Sequence, residues 1–288
     1  MSTSESSTKP HYPGPRDLSE SQRLKAQSDL VTAAFGGLVL CPVDLTASGL
    51  RVLDSGTADG LFLGQLRSLL AQPDSATLIG TDIAPFEDNV GKPDYIEWHK
   101  QDINEEWPAS WQGTFDFVHQ RAVITNAGSW DGAVKAATRL AKLAKPGAWL
   151  QLVDSALPEG DISEGDPPSL KFTKALGSFL KKFGLFNRTA GELGEILAQT
   201  DEVIEIAQKE ATVQLGVLAK NEELKQAGRF WLSSMRYTVA AGLSRVDDPD
   251  LISPTEWNTL MDELELEAET TGVEFKWWAA WGKRKSSA

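Results

Sequence analysis

Apolar positions along the first half of the chain switch between two rhythms. Residues 18–35 repeat at helical spacing, with Leu24, Leu30, Val31 and Ala34 able to share one face while Arg23 and Lys25 lie elsewhere. Ser19 fits an N-cap there, and Gly36-Gly37 a stop. The next apolar run, Leu50-Arg51-Val52-Leu53-Asp54, is short and ends on an acid. It reads as a strand feeding a glycine-bearing turn over 55–60, and a helix over 61–70 follows with Leu63, Leu66, Leu69 and Leu70 available to pack. The alternation continues with strands at 77–81, 95–99 and 115–119, then a helix over 130–144. Lys145-Pro146-Gly147 reads as a turn into a strand at 148–153.

Beyond Asp154 the rhythm changes. Residues 158–168 carry Gly, Pro and acids and read as a loop. Helices are expected over 169–183, 190–199, 221–243 and 255–270, with strands over 203–215 and 273–282. The last strand holds Trp277, Trp278 and Trp281. Alternating strands and helices predict a doubly wound α/β fold, a mostly parallel seven-stranded sheet with helices on both faces. Helical insertions at about 158–200 and 221–243 are expected to form a lid over a ligand site. Residues 1–11, rich in Ser and Thr, read as a disordered lead-in, and 12–288 as a single domain with those insertions.

Composition narrows the function. The 288 residues suffice for a full α/β core, and the net charge of −13 argues against nucleic acid or an anionic membrane as the main partner. The basic run Lys283-Arg284-Lys285 reads as a solvated tail. One cysteine, Cys41, leaves no internal disulfide or multi-cysteine metal site, and the default compartment is the reducing cytoplasm. His11, His99 and His119 lie far apart without metal-ligand spacing, so no metal is expected. No apolar run is long enough to span a bilayer, and the N-terminus lacks the apolar stretch of a secretory signal.

The candidate chemistry sits at strand ends. Val52-Leu53-Asp54-Ser55-Gly56-Thr57-Ala58-Asp59-Gly60 delivers an acid and then small residues, so that backbone approaches a ligand at the edge of the sheet. Gly56 and Gly60 permit close contacts and φ values that larger residues resist. The spacing is not the dinucleotide fingerprint; it is D-x-G-x-G-x-G with alanine at the middle glycine. An ordinary strand-to-helix turn is the plainer alternative. Asp82 ends the next strand, where a carboxylate accepts both hydroxyls of a ribose or, equally, caps a helix. In Gln101-Asp102-Ile103 the carboxylate suits an adenine amino group and the aliphatic neighbour its ring. Three acids at the ends of successive strands point to one adenosine-bearing ligand.

These stretches resemble the class I S-adenosylmethionine (SAM)-dependent methyltransferases, especially those of fungal secondary metabolism. The resemblance runs over about residues 12–155. It is carried by Tyr12-Pro-Gly-Pro-Arg16 with Ser21, Arg23, Leu24 and Gln27, by Leu53 to Thr57, by Asp102 to Pro108, by Trp111 to Arg121 and by Lys145 to Leu152. It implies a Rossmann-like sheet with SAM as cofactor and S-adenosylhomocysteine as product. On that resemblance Asp54, Ser55, Gly56 and Thr57 line the methionine part, with Gly60 closing the same turn. Asp82 and Ile83 hold the ribose and flank the adenine, and Asp102 and Ile103 meet the adenine edge. His119, Gln120 and Arg121 lie beside the sulfonium. Tyr12 and Arg16 close over the cofactor, Arg16 as a partner for its carboxylate, since a guanidinium matches two oxygens at once. Ala58 departs from the usual glycine.

The implied reaction is methyl transfer to O, N or S of a small secondary metabolite, in a monomer or homodimer. His119 is the candidate base, because an imidazole titrates near neutrality, although a hydrogen-bonded structural histidine is the simpler reading; His99 is a weaker candidate. Two alternatives remain: a cyclase-like enzyme that uses the sulfonium only as fixed positive charge, and a methyltransferase-like interaction subunit. Trp107, Trp111, Phe172, Phe179, Phe183, Phe186, Phe230, Trp231, Met235, Arg236 and Tyr237 are first of all packing residues, with some able to wall an acceptor pocket.

Overall fold

The computed structural model describes residues 15–84, 86, 91–155, 157–158, 160–186 and 190–286. The expected lead-in and Tyr12 lie outside the described residues. Seven strands, β1 (Arg51–Ser55), β2 (Thr77–Asp82), β3 (Ile96–Lys100), β4 (Phe115–Arg121), β5 (Ala144–Ser155), β6 (Val203–Leu215) and β7 (Val273–Arg284), form one sheet. Their order is β3-β2-β1-β4-β5-β7-β6. The first five are parallel, and β7 runs antiparallel to both β5 and β6. The chain winds outward from β1 to β3, then returns to start again at β4. The carboxyl ends of β1 and β4 therefore flank the switch point where such sheets bind ligands.

The alternating side chains of these strands feed two helical layers. Leu53, Ile79, Val118, Leu150 and Leu152 face α3 (Trp130–Leu143) and α5 (Leu193–Gln199), which bury Leu140, Leu143, Ile196 and Leu197 against them. Val52, Leu78 and Phe117 face the other way, toward Phe62, Leu63 and Leu66 of α2 (Leu61–Arg67). Further along the sheet, Val153, Ala211, Val213, Trp277 and Ala279 carry α1 (Leu18–Phe35), α4 (Pro168–Lys182), α6 (Glu222–Leu243) and α7 (Pro254–Thr270). Trp257 of α7 is wholly buried in that cluster. Gly242 lets α6 sit tight on α4, because a Cβ there would lie 2.4 Å from Phe179 Cζ.

Several local expectations change. The N-cap of α1 is Asp17, whose Oδ1 accepts from the Ser19 and Glu20 amides at 3.0 and 3.2 Å, in place of Ser19. Gly36 ends the helix in the left-handed conformation, as the glycine pair suggests. Leu24 is not a core residue; the buried face is Ala26, Leu30, Val31 and Phe35. The helix α2 stops at Arg67, leaving Leu69 half exposed. The Lys145-Pro146-Gly147 turn lies inside β5 as a bulge: pairing jumps from Phe115↔Ala144 to Phe117↔Trp149, and Gly147 takes φ 82°. Of the expected lid, α4 and α6 cover the end of the sheet, whereas α5 packs flat on its opposite face.

Candidate active site

The turn after β1 is shaped by close backbone approach. Gly56 has φ 74°, and a Cβ there would come within 2.3 Å of Val123 Cγ2, so only glycine fits. The Gly56 and Thr57 amides both donate to the Thr81 carbonyl, at 2.7 and 2.8 Å, which ties the turn to β2. Ala58 occupies the left-handed region at φ 54°, and its amide donates to Asp82 Oδ2 at 3.0 Å. The alanine departure is thus a strained position held in place by the acid of the next strand. Asp59 Oδ1 accepts from the Leu61 amide at 3.1 Å, and its Oδ2 accepts from Ser21 Oγ of α1.

Strand alternation sorts the remaining residues. In the parallel pairing of β1 with β4, Asp54 lies opposite His119 and Ser55 opposite Gln120. Asp54 Oδ1 holds His119 Nδ1 at 2.8 Å, and the imidazole stacks on Phe62 with 3.5 Å between ring centres. Burial pushes the His119 pKa down; the Asp54 hydrogen bond and charge pull it back up, and Arg121 pushes it lower. On the opposite face, Gln120 Nε2 donates to Ser55 Oγ at 3.0 Å.

Asp54, Asp82 and Asp102 open on one cleft of about 210 Å³ at the carboxyl edge of the sheet. Gly56, Thr57, Ile83, Ile103, His119, Arg121 and Arg16 also line it. Three expected residues do not. Ser55 and Gln120 bond to each other on the other face, and a Cβ on Gly60 would meet the side chains of Trp98 and Ile96. Arg16 is also placed differently: its Nη2 sits 3.1 Å from Asp82 Oδ1, at the expected ribose end, because a guanidinium seeks the nearest carboxylate. Asp102 Oδ1 accepts from the Asn104 amide at 2.9 Å. Arg121 Nη1 donates to Ser28 Oγ at 3.1 Å. Glu20, Arg23, Leu24 and Gln27, spaced as one helical face of α1, form a wall that was not expected, along with Asp59, Phe62 and Gln101.

No family model matches the chain. Over 276 residues it is 33% identical to the N-methyltransferase sirN of Leptosphaeria maculans, covering 93% of each protein. It is 29% identical to the N-methyltransferase gliN of Aspergillus fumigatus, over 92% of this chain and 93% of that one. The chain belongs to the SAM-dependent methyltransferase family. Haemonchus contortus phosphoethanolamine N-methyltransferase 2, solved in complex with S-adenosyl-L-methionine, shares the fold at TM-score 0.51 and 16% identity. The match covers 92% of this chain and 53% of that one, so this methyltransferase spans about half the length of that structure.

The cleft of the methyltransferase fits its cofactor. Thr57 Oγ1 is buried with no hydrogen-bond partner among the described residues, and the glycine turn leaves backbone close to the cleft. Acids and arginines both line the space, matching a ligand that carries a sulfonium, an ammonium and a carboxylate.

A second cavity of about 180 Å³ adjoins the first, with Arg23, Gln27, Ala122 and Asn126 lining both. Its walls are mostly apolar and come from α4, α6 and β7: Phe172, Leu176, Phe179, Trp231, Met235, Val239, Phe275 and Trp277. Phe183, Phe186, Phe230, Arg236 and Tyr237 are not among its lining residues. Trp107 is buried in the core, and Trp111 packs edge-on against His99 and Phe115, so neither borders either cavity.

Proposed function

We propose that the methyltransferase moves a methyl group from SAM to a nitrogen of a small, largely apolar acceptor. The observation that carries this reading is the pair of adjoining cavities, one acidic at the strand ends and one aromatic beneath α4 and α6. Nitrogen is favoured over oxygen or sulfur because sirN, gliN, the tcpN protein and the verN protein are all named N-methyltransferases.

SAM supplies an activated methyl group on a cationic sulfur. The residues of the chain bind, align and shield. In this reading Asp82 takes the ribose hydroxyls, Asp102 and Ile103 the adenine edge, and Ile83 the adenine face. Asp54, Gly56, Thr57 and Arg121 surround the methionine end. His119 serves as a positioning residue: with Nδ1 bound to Asp54 and the ring stacked on Phe62, it fixes the Asp54 carboxylate.

Isothermal titration tests the cofactor site. SAM binds the wild type in the micromolar range, and Asp82→Ala weakens it by about tenfold or more, the cost of a lost charge-assisted pair of hydrogen bonds. Absence of heat at millimolar SAM with a folded sample sinks the reading. Release of S-adenosylhomocysteine with gain of a methyl on an N–H compound separates transfer from a cyclase-like use of the same pocket.

A further inference from the structure

The junction between the two cavities holds a buried carboxylate whose second oxygen makes no hydrogen bond among the described residues. Asp154 follows Val153, whose register partner on β4 is Arg121, and the Ala122 amide donates to the Val153 carbonyl at 2.8 Å. Arg121 lines the acidic cleft, Ala122 lines both cavities and Asp154 lines the aromatic one. The end of β5 thereby sets this acid where the two spaces meet.

Asp154 is 4% exposed. Its Oδ1 accepts from the Ser155 amide at 2.9 Å, while its Oδ2 is buried without a hydrogen-bond partner. Among the described residues, the cations that line the aromatic cavity are engaged elsewhere. Lys276 is 2.7 Å from Glu210 Oε1, and Arg23 makes a bidentate pair with Glu20 at 2.7 Å. A buried carboxylate costs free energy unless something meets it. Burial accordingly pushes its pKa up to about 7, against the opposing pull of the Ser155 and Ile124 amides. A lone acceptor oxygen beside an apolar, aromatic chamber has the chemistry to receive an N–H.

We propose that Asp154 is a catalytic residue that holds the N–H of the acceptor and takes its proton during methyl transfer. The proposal rests on the function given above. The nitrogen lone pair forms the new bond to the methyl carbon as the carbon–sulfur bond breaks, its electron pair staying on sulfur. The N–H proton passes to Asp154 Oδ2, so the positive charge that leaves the sulfonium ends as a neutral acid. The acceptor class is an apolar ring compound that presents one N–H at its edge, the aromatic side chains of α4 and α6 clasping the rest.

The test uses full-length protein loaded with S-adenosylhomocysteine and two probes of equal shape. Tetrahydroquinoline, an aryl amine that stays neutral near pH 8, offers one N–H, and tetralin replaces it with carbon. Titration calorimetry of the wild type gives about tenfold or greater preference for the amine, the worth of a charge-assisted hydrogen bond out of water. Asp154→Asn loses that preference while keeping its affinity for S-adenosylhomocysteine and for tetralin; Asp154→Glu recovers part of it. A preference unchanged in Asp154→Asn overturns the proposal, as does a wild type that binds the homocysteine nucleoside but shows no preference. Failure to bind the nucleoside at all instead removes the underlying functional reading.

Discussion

Replacing Asp154 by asparagine removes a buried carboxylate whose pKa is pushed up to about 7. Its ordinary value is 3.8, so the folded chain holds this proton more tightly than the unfolded chain does. The sign follows from linkage: the contribution of the protonated acid is complete below about pH 3.8 and is lost as pH rises through 7. A gap of roughly three pKa units corresponds to about 4 kcal/mol, and about 3 kcal/mol of it is lost between pH 5 and pH 9. The amide that replaces the carboxyl does not titrate in that range, so any packing defect enters as a constant offset. Urea unfolding of both proteins at a series of pH values gives the difference directly. The wild type declines relative to Asp154→Asn by about 3 kcal/mol from pH 5 to pH 9. Titration of His119 is common to both proteins and cancels. A stability difference that is flat with pH refutes the idea that Asp154 is a buried, uncompensated acid.

Three further outcomes follow from the site. Gly56→Ala forces a side chain into φ 74° and against Val123, so SAM affinity falls about tenfold or more by calorimetry; pairing it with Val123→Ala returns part of the loss, and no return contradicts the contact. Ala58→Gly relieves a left-handed alanine at φ 54° and stabilises the fold by about 0.5–1 kcal/mol in urea melts, after the entropic cost of glycine; a destabilised variant argues against strain. His119, whose pKa is lowered mainly by burial, removes stability from the wild type as pH falls below 6.5. His119→Gln flattens that acid limb, and an unaltered limb shows that another group controls it.

Asp54 and Asp82 are legible in the sequence because each closes a short apolar run, Asp102 follows two residues after β3, and a parallel sheet brings such ends to one edge. Asp54, Asp82 and Asp102 accordingly line one cleft. Ser55 and Gln120 sit next to Asp54 and His119 in the chain, yet period-two alternation sends them to the far face, where they bond to each other. Leu24 is apolar at helical spacing, but it lies on the α1 stripe with Glu20, Arg23 and Gln27 that walls the cleft. Asp154 also ends an apolar run. Its significance depends on Phe172 and Trp231, which line the same cavity from helices far along the chain, and on an Oδ2 without a hydrogen bond among the described residues. Those are tertiary facts with no local signature. The short α5 was expected in the lid for a similar reason, since helical spacing does not say which face of the sheet a helix covers.

Whether one ligand spans the three acids is decided by a crystal grown with S-adenosylhomocysteine. The expected density places ribose hydroxyls on Asp82, the adenine edge on Asp102 and the amino acid end near Asp54, with sulfur toward Ala122 and the aromatic cavity. Density bound elsewhere, or a nucleoside that touches none of these carboxylates, contradicts it.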